Sequence, residues 1–303
     1  MSDLHGVYPI LYAFYDASGA LNRDAMRRQV TCCLDAGAHG IAVLGLITEV
    51  SALSEAERTA VVEWAAEDIG GRVPLAVTVA GESAAAQGAF ARASVAAGAD
   101  WLILQPPRES QPSEAELMRF FGRTMEAVDV PVGIQNFPEV LGVGLTPAGV
   151  GDLHRQQGNF SVMKGEGPVY QIRRYMEAAS GGIAIFNGRG GLEMPDNLRA
   201  GCAGIIPAPD CADVQIAMYN AFAAGDLARA DALYRQTLPY VTFVMQSVDF
   251  ALRYGKMMTA RRMGISGDPG PRDAAVLEDA FGRERLAAHA APLGDFGTWR
   301  ESG

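Results

Sequence analysis

Lysine is almost missing from this 303-residue chain: of its 25 basic residues, all but Lys164 and Lys256 are arginine. Histidine is nearly as scarce, and His5, His39, His154 and His289 match no metal-ligand spacing, so no metal site is expected. The four cysteines, Cys32, Cys33, Cys202 and Cys211, form no CxxC pair and read as reduced core thiols rather than a disulfide framework. Positive charge is in deficit. A formal net charge of −10 argues against nucleic acid and anionic membranes as partners, and an anionic substrate would need a local binding device. No stretch approaches the roughly 20 uncharged apolar residues of a membrane span. The opening Met-Ser-Asp-Leu-His-Gly-Val lacks the basic-then-apolar pattern of a secretory leader, so a cytoplasmic protein is expected.

What is present is alternation. Short apolar runs alternate with amphipathic segments over residues 1–225. The strand candidates are Val7–Phe14, Gly40–Gly45, Pro74–Ala80, Trp101–Pro106, Val132–Phe137, Phe160–Gly165, Ile183–Gly188 and Gly204–Pro209. They are rich in Val, Ile, Leu and Ala without strict polar alternation, as parallel strands buried on both faces are. Helical patterns lie between them, with Ser N-caps and acidic first turns at Ser54-Glu-Ala-Glu57 and Ser113-Glu-Ala-Glu116, and Pro in the first turn at Thr146-Pro147. Eight such units predict a (β/α)₈ TIM barrel; an open doubly wound sheet is the alternative that regularity disfavours. From Leu227 the strand pattern stops. Leu227–Leu238, Tyr240–Met263 and Asp273–Ala291 predict a helical region, 226–303, packed on the barrel, with Pro239 separating its first two helices.

Barrel active sites lie at the C-terminal ends of the strands. The sixth strand ends in Phe160-Ser-Val-Met-Lys164-Gly-Glu166-Gly-Pro168. Arginine stays protonated at any usable pH, whereas a desolvated lysine can lose its proton and attack a carbonyl. Glu166 falls on the same face by the period-two rule, about 6–7 Å away at Cα. Amine and carboxylate together predict Schiff-base chemistry with its own proton carrier, needing no added cofactor beyond the imine on Lys164. Other strand ends bring Gln135, which meets substrate or satisfies buried backbone groups. Asn187 and Arg189 bind substrate hydroxyls or simply shape a glycine-rich turn. The Asn187–Gly191 stretch has the wrong glycine spacing and position for a dinucleotide fingerprint.

Order and spacing of several motifs resemble the dihydrodipicolinate synthase / N-acetylneuraminate lyase superfamily over residues 6 to about 265. The motifs are Gly45…Glu49, Leu53-Ser-Glu-Ala-Glu-Arg58, Ala-Gly-Ala-Asp100, Asn136-Phe-Pro138 and Met163-Lys164. The resemblance implies that Lys164 is the Schiff-base lysine, that substrates are small 2-oxo acids, and that the protein is a homotetramer. It also implies that the turn Gly45, Leu46, Ile47 and Thr48 holds the substrate carboxylate through backbone N–H groups and the Thr48 hydroxyl. Lys256 matches a structural lysine and receives no chemistry.

Departures narrow the activity. The position of the superfamily's relay tyrosine is Gln135, its tyrosine pair after strand four is Arg108-Glu109, and the arginine expected after Pro138 is absent from Glu139-Val-Leu-Gly142. A lysine-biosynthesis role is therefore disfavoured. Lys-Gly-Glu-Gly without a relay tyrosine is similar to the branch containing L-2-keto-3-deoxyarabonate dehydratase, in which the glutamate two residues after the lysine moves the proton. The expectation is a hydro-lyase that dehydrates a 2-keto-3-deoxy sugar acid, with L-2-keto-3-deoxyarabonate to 2,5-dioxopentanoate the specific candidate. A pyruvate-dependent aldolase and a non-catalytic ligand-binding barrel are the alternatives.

Overall fold

The computed structural model describes residues 4–267, 270–272 and 278–299. Eight parallel strands run β1 (Gly6–Val7), β2 (Ile41–Val43), β3 (Leu75–Val79), β4 (Trp101–Leu104), β5 (Val132–Asn136), β6 (Phe160–Gly165), β7 (Ala184–Asn187) and β8 (Gly204–Ile205). They pair in the order β1-β8-β7-β6-β5-β4-β3-β2. The remaining seam closes through an Ile10–Ala42 bridge, with Leu11 N donating to Ala42 O at 2.9 Å and Ala42 N to Pro9 O at 3.0 Å. The result is the expected (β/α)₈ barrel. Strands one and eight are regular over fewer residues than their apolar runs suggest, because Pro9, Pro207 and Pro209 supply no N–H to a ladder.

Period two sorts the barrel's side chains. Tyr8, Ala76, Trp101, Val162, Phe186 and Ile206 form one buried cluster drawn from different strands, the barrel interior. Their chain neighbours Val7, Val77, Leu102, Met163, Ile185 and Ile205 belong instead to the large core beneath the helices. Lys164 shares the parity of Val162, and Gln105 that of Ile103, so both side chains head inward.

The predicted helix starts form as capped ends. Ser54 and Ser113 each accept from the third backbone N–H of their helices, Glu55–Ile69 and Glu114–Met125, while Glu57 and Glu116 reach back to complete capping boxes. Asn22, Ser83 and Thr146 cap Arg23–Asp35, Ala84–Ala96 and Pro147–Gln156. Each such cap contributes about 0.5–2 kcal/mol.

The C-terminal helices depart from expectation. Leu227–Val244 runs through Pro239 as one helix. The proline removes one ladder hydrogen bond, but Tyr240, Val241 and Val244 beyond it are buried, and their packing carries the helix on. The break falls at Met245–Ser247, where the Ser247 hydroxyl accepts from Phe250 N at 3.0 Å and starts a new run ending in Lys256–Met263. The last helix spans Ala280–Leu293; residues 273–277 of its expected range lie outside the described residues. Arg262 ties this region to the barrel, donating to both Asp213 carboxylate oxygens at 2.8 Å and to Asp210 O at 2.9 Å. All four cysteines are buried and free. Among the described residues no helix is long and apolar enough to cross a membrane.

Candidate active site

Register brings the central groups together. Gln135 on β5 lies opposite Lys164 on β6. Lys164 Nζ sits 2.9 Å from Glu166 Oε1, with only 6% and 7% of the two side chains exposed. Gln135 donates its side-chain amide to the same Glu166 oxygen. Gln105 in turn donates to Gln135 Oε1 at 2.8 Å, while Gln87 donates to the backbone carbonyl of Gln105 at 2.8 Å. Gln105 and Gln135 thus form a directed chain of two side-chain amides ending on the carboxylate that faces the lysine, and Gln87 braces the backbone at its start.

Space beside the pair comes from Gly188. A Cβ there would lie 2.7 Å from Glu166 Cδ and 2.8 Å from Lys164 Cε. Gly165, one residue from the lysine, permits strand–helix packing instead, since a Cβ at that position would meet Ile172 at 2.8 Å. A cavity of about 190 Å³ opens next to Lys164 and Glu166, walled by Leu46 and Ile47 among others.

The turn after β2 enters this cavity as one 3₁₀ turn, Leu46–Thr48, flanked by two non-glycine residues in the left-handed region, Leu44 (φ 65°) and Glu49 (φ 56°). Such residues cost about 1–3 kcal/mol each and persist where the surroundings over-determine them. Here Lys256 Nζ donates to Glu49 Oε1 at 2.6 Å, and Arg272 N donates to Glu49 Oε2 at 2.7 Å. The N–H groups of Leu46 and Ile47, first in the turn, have no acceptor within it and are the donors it can present. Thr48 does not line the cavity. Its hydroxyl is fully buried and donates to Leu11 O at 2.6 Å. Gly45 serves fit, since a Cβ would run into Ile10.

Two further expected substrate ligands are occupied elsewhere. Asn187 has the outward parity of Ile185; its amide donates to Gly165 O at 3.2 Å and Gly167 O at 3.4 Å, and its oxygen accepts from Arg189 N. Arg189 pairs with Glu193 at 3.6 Å. In this structure both side chains are engaged within the glycine-rich turn. Arg108 and Glu109 are exposed, and their backbone N–H groups donate to Glu82 at 2.9 and 3.0 Å. Asn136 is a clip: it donates to Leu145 O at 3.0 Å and accepts from Leu145 N at 2.8 Å, setting the short helix Pro138–Leu141 whose Val140 borders the cavity with Phe137.

Sequence reasoning missed Gln105, Gly188 and Asp210. Asp210 lines the same cavity, and burial pushes its carboxyl above the usual carboxylate range although the Tyr12 hydroxyl donates to it at 3.3 Å. Inward parity was the available clue for Gln105 and Gly188. The segment Val241–Ala251, from the C-terminal region, also walls the cavity, and nothing local in the sequence marks it.

The family model described as the dihydrodipicolinate synthetase family matches residues 3–259. The chain belongs to this family. Dihydrodipicolinate synthetase family relatives include a 4-hydroxy-tetrahydrodipicolinate synthase of Methanopyrus kandleri, 28% identical over 78% of this chain and 80% of that protein. Another is Escherichia coli K12 YagE, named as a candidate 2-dehydro-3-deoxy-D-gluconate aldolase, 29% identical over 77% of this chain and 78% of its own. The YagE crystal structure, solved in complex with pyruvate, superposes with a TM-score of 0.88 at 23% identity, covering 96% and 99% of the two chains. Dihydrodipicolinate synthase of Thermotoga maritima gives 0.87 at 19% identity, covering 96% and 98%; at these identities the structures establish the fold. Members of the family are lyases.

Proposed function

We propose that this lyase forms an imine between Lys164 and the C2 ketone of a 2-keto-3-deoxy sugar acid and removes water from it, with L-2-keto-3-deoxyarabonate to 2,5-dioxopentanoate as the specific candidate. The observation that carries the reading is the 2.9 Å approach of Lys164 Nζ and Glu166 Oε1 beside a cavity, with Gln135 where a relay tyrosine would stand. Condensation expels the ketone oxygen as water, and the protonated imine acidifies C3–H. Glu166 takes that proton, the C3 electron pair forms the C3–C4 double bond, the C4–O bond breaks, and the hydroxyl leaves as water with the proton that Glu166 returns. Hydrolysis restores Lys164, and tautomerisation gives the semialdehyde. Gln135, held by Gln105, orients the carboxylate, and the Leu46 and Ile47 N–H groups receive the substrate carboxylate. The imine takes the place of an added cofactor. The assembly is a cytoplasmic homotetramer whose catalytic groups come from one subunit per site.

Glu166→Gln tests the assignment. Borohydride should still trap a 2-oxo acid on Lys164, while C3 proton exchange and water loss fall by roughly 10²–10⁴-fold, the loss typical of removing a general acid–base group. Exchange at near wild-type rate would remove Glu166 from the mechanism. A pyruvate-dependent aldolase, cleaving C3–C4, is the second reading, favoured by the similarity to YagE. Product analysis separates the two: one dehydrated acid, or pyruvate plus an aldehyde.

A further inference from the structure

A buried ionisable group at the cavity takes no part in the chemistry proposed above. Asp210 lies in the turn after β8, two strands from β6 in the sheet and so about 10 Å from the strand of Lys164. It is 4% exposed and lines the same cavity, with Ile10, Ile206 and Ala208 as apolar companions on the wall. The groups around its carboxyl are neutral: Tyr12, Tyr240 and Cys211. The one Tyr12 proton has two acceptors in reach, Asp210 Oδ2 at 3.3 Å and Ala251 O at 3.2 Å. Arg262 touches Asp210 at its main-chain carbonyl, and its charge is matched by both carboxylate oxygens of Asp213. Lys164 is likewise matched by Glu166. An unmatched charge buried there costs far more than a neutral acid, and burial accordingly raises the Asp210 pKa. Space for this group is built into the helix packed over it. Ala251–Gly255 is a π turn, a form rare in helices and frequent at functional sites. A Cβ on Gly255 would lie 2.0 Å from the Tyr12 hydroxyl and 3.0 Å from Asp210 Oδ2.

We propose that Asp210 is a specificity-determining residue, whose carboxyl hydrogen-bonds a hydroxyl on C5 of the substrate. The inference rests on the imine-forming dehydration proposed above and names the group that reads the substrate beyond its reacting carbons. A neutral carboxyl both donates and accepts, as a hydroxyl does, so the two match in either direction. Gln246 and Ser247, the other polar residues on that side of the cavity, are exposed. The Gln246 amide donates to Phe243 O and the Ser247 oxygen accepts from Phe250 N, and water serves their remaining donors and acceptors whichever substrate is bound. Asp210 is out of reach of bulk water, so a substrate without the C5 hydroxyl leaves it short of a hydrogen bond that nothing replaces. The substrates favoured are 4,5-dihydroxy-2-oxo acids, with L-2-keto-3-deoxyarabonate the five-carbon member.

The test compares kcat/KM for water loss from L-2-keto-3-deoxyarabonate and from 4-hydroxy-2-oxopentanoate, which lacks only the C5 hydroxyl, with pyruvate–borohydride trapping run in parallel. Wild type should favour the dihydroxy acid by roughly 10–100-fold. Asp210→Asn keeps a donor and an acceptor and should hold that ratio within a few-fold. Asp210→Leu, similar in shape but without polar atoms, should bring the ratio close to one while pyruvate is still trapped on Lys164. Asp210→Ala supplies the same reading if Asp210→Leu does not fold. A residue that only supports the fold would lower both substrates together and leave the ratio unchanged. That result, or a wild type indifferent to the C5 hydroxyl, overturns the inference and leaves the dehydration standing. A ratio lost as fully in Asp210→Asn as in Asp210→Leu overturns it too, since the charged form would then be what binds. If no adduct forms on Lys164 in wild type, the imine reading fails and this inference falls with it.

Discussion

Each of the two lysines is buried beside a glutamate, and the two pairs differ in what lies next to them. Lys256 has no exposed surface. Its Nζ lies 2.6 Å from Glu49, donates to Gly270 O at 3.2 Å, and stands 4.8 Å over the Tyr15 ring. Burial pushes its pKa down while Glu49 pulls it back up. Lys164 keeps a similar distance to Glu166, 2.9 Å, but has a cavity beside it because residue 188 is glycine. On the mechanism proposed above, burial and a carboxylate partner therefore do not decide whether an amine is a strut or a reagent. Room for a second reactant does. Lys256 holds Glu49 in its left-handed conformation and with it supports the turn of Leu46 and Ile47 that borders the same cavity.

The sharpest way to break this contrast is to exchange each lysine for arginine. Lys164→Arg should abolish both turnover and the borohydride-trapped adduct, because arginine keeps the charge but cannot deprotonate to attack. Lys256→Arg should leave a one-substrate mass gain on the Lys164 peptide. Mass spectrometry after treatment with pyruvate decides the matter, and label on the Lys256 peptide would end the distinction. Filling the space that separates the pairs should have the next largest effect. Gly188→Ala crowds both Lys164 and Glu166, and a misplacement approaching 1 Å costs on the order of 10²-fold. Steady-state kcat/KM should fall by about that factor while the denaturant midpoint stays close to wild type.

Lys256→Met should show the reverse pattern. It strands Glu49 as an uncompensated buried charge, which costs about 3–5 kcal/mol of unfolding free energy in denaturant titration, and adding Glu49→Gln should recover part of that loss. The smallest effect sits at the edge of the strut. The Arg272 guanidinium hydrogen-bonded to Glu57 lowers that carboxyl from its ordinary 4.5 to about 2. A lowered carboxyl pKa contributes stability above the unfolded value and loses it as pH falls through the folded one. Wild type should thus melt slightly above Glu57→Gln at neutral pH, and the difference should fade between about pH 4.5 and 2. A difference that persists at pH 2 would show that Glu57 acts by packing and not by charge.

Most of the architecture was legible because its causes are local. Caps at Ser54, Ser113 and Thr146 form within one turn of chain, and the barrel strands announce themselves as apolar runs between glycine-rich turns. Pro239 was misleading for the complementary reason: its local preference to end a helix loses to the burial of Tyr240, Val241 and Val244, which only the packed molecule supplies. Within the site, Asn187 and Thr48 have side chains of the right type in the right loops, yet one has outward parity and the other gives its proton to Leu11.

What the sequence determined by itself is the pairing of Lys164 with Glu166, since they lie two residues apart and period two alone puts them on one face. Tertiary structure decided what surrounds them. Gln105, Gln135, Gly188, Asp210 and Val244 come from separate strands and a distant helix, and they meet only when the sheet closes and the C-terminal helices pack across its end. Spacing along the chain can place neighbours on a face, but the shape and polarity of a cavity depend on groups far apart in the chain, brought together by burial of a shared core.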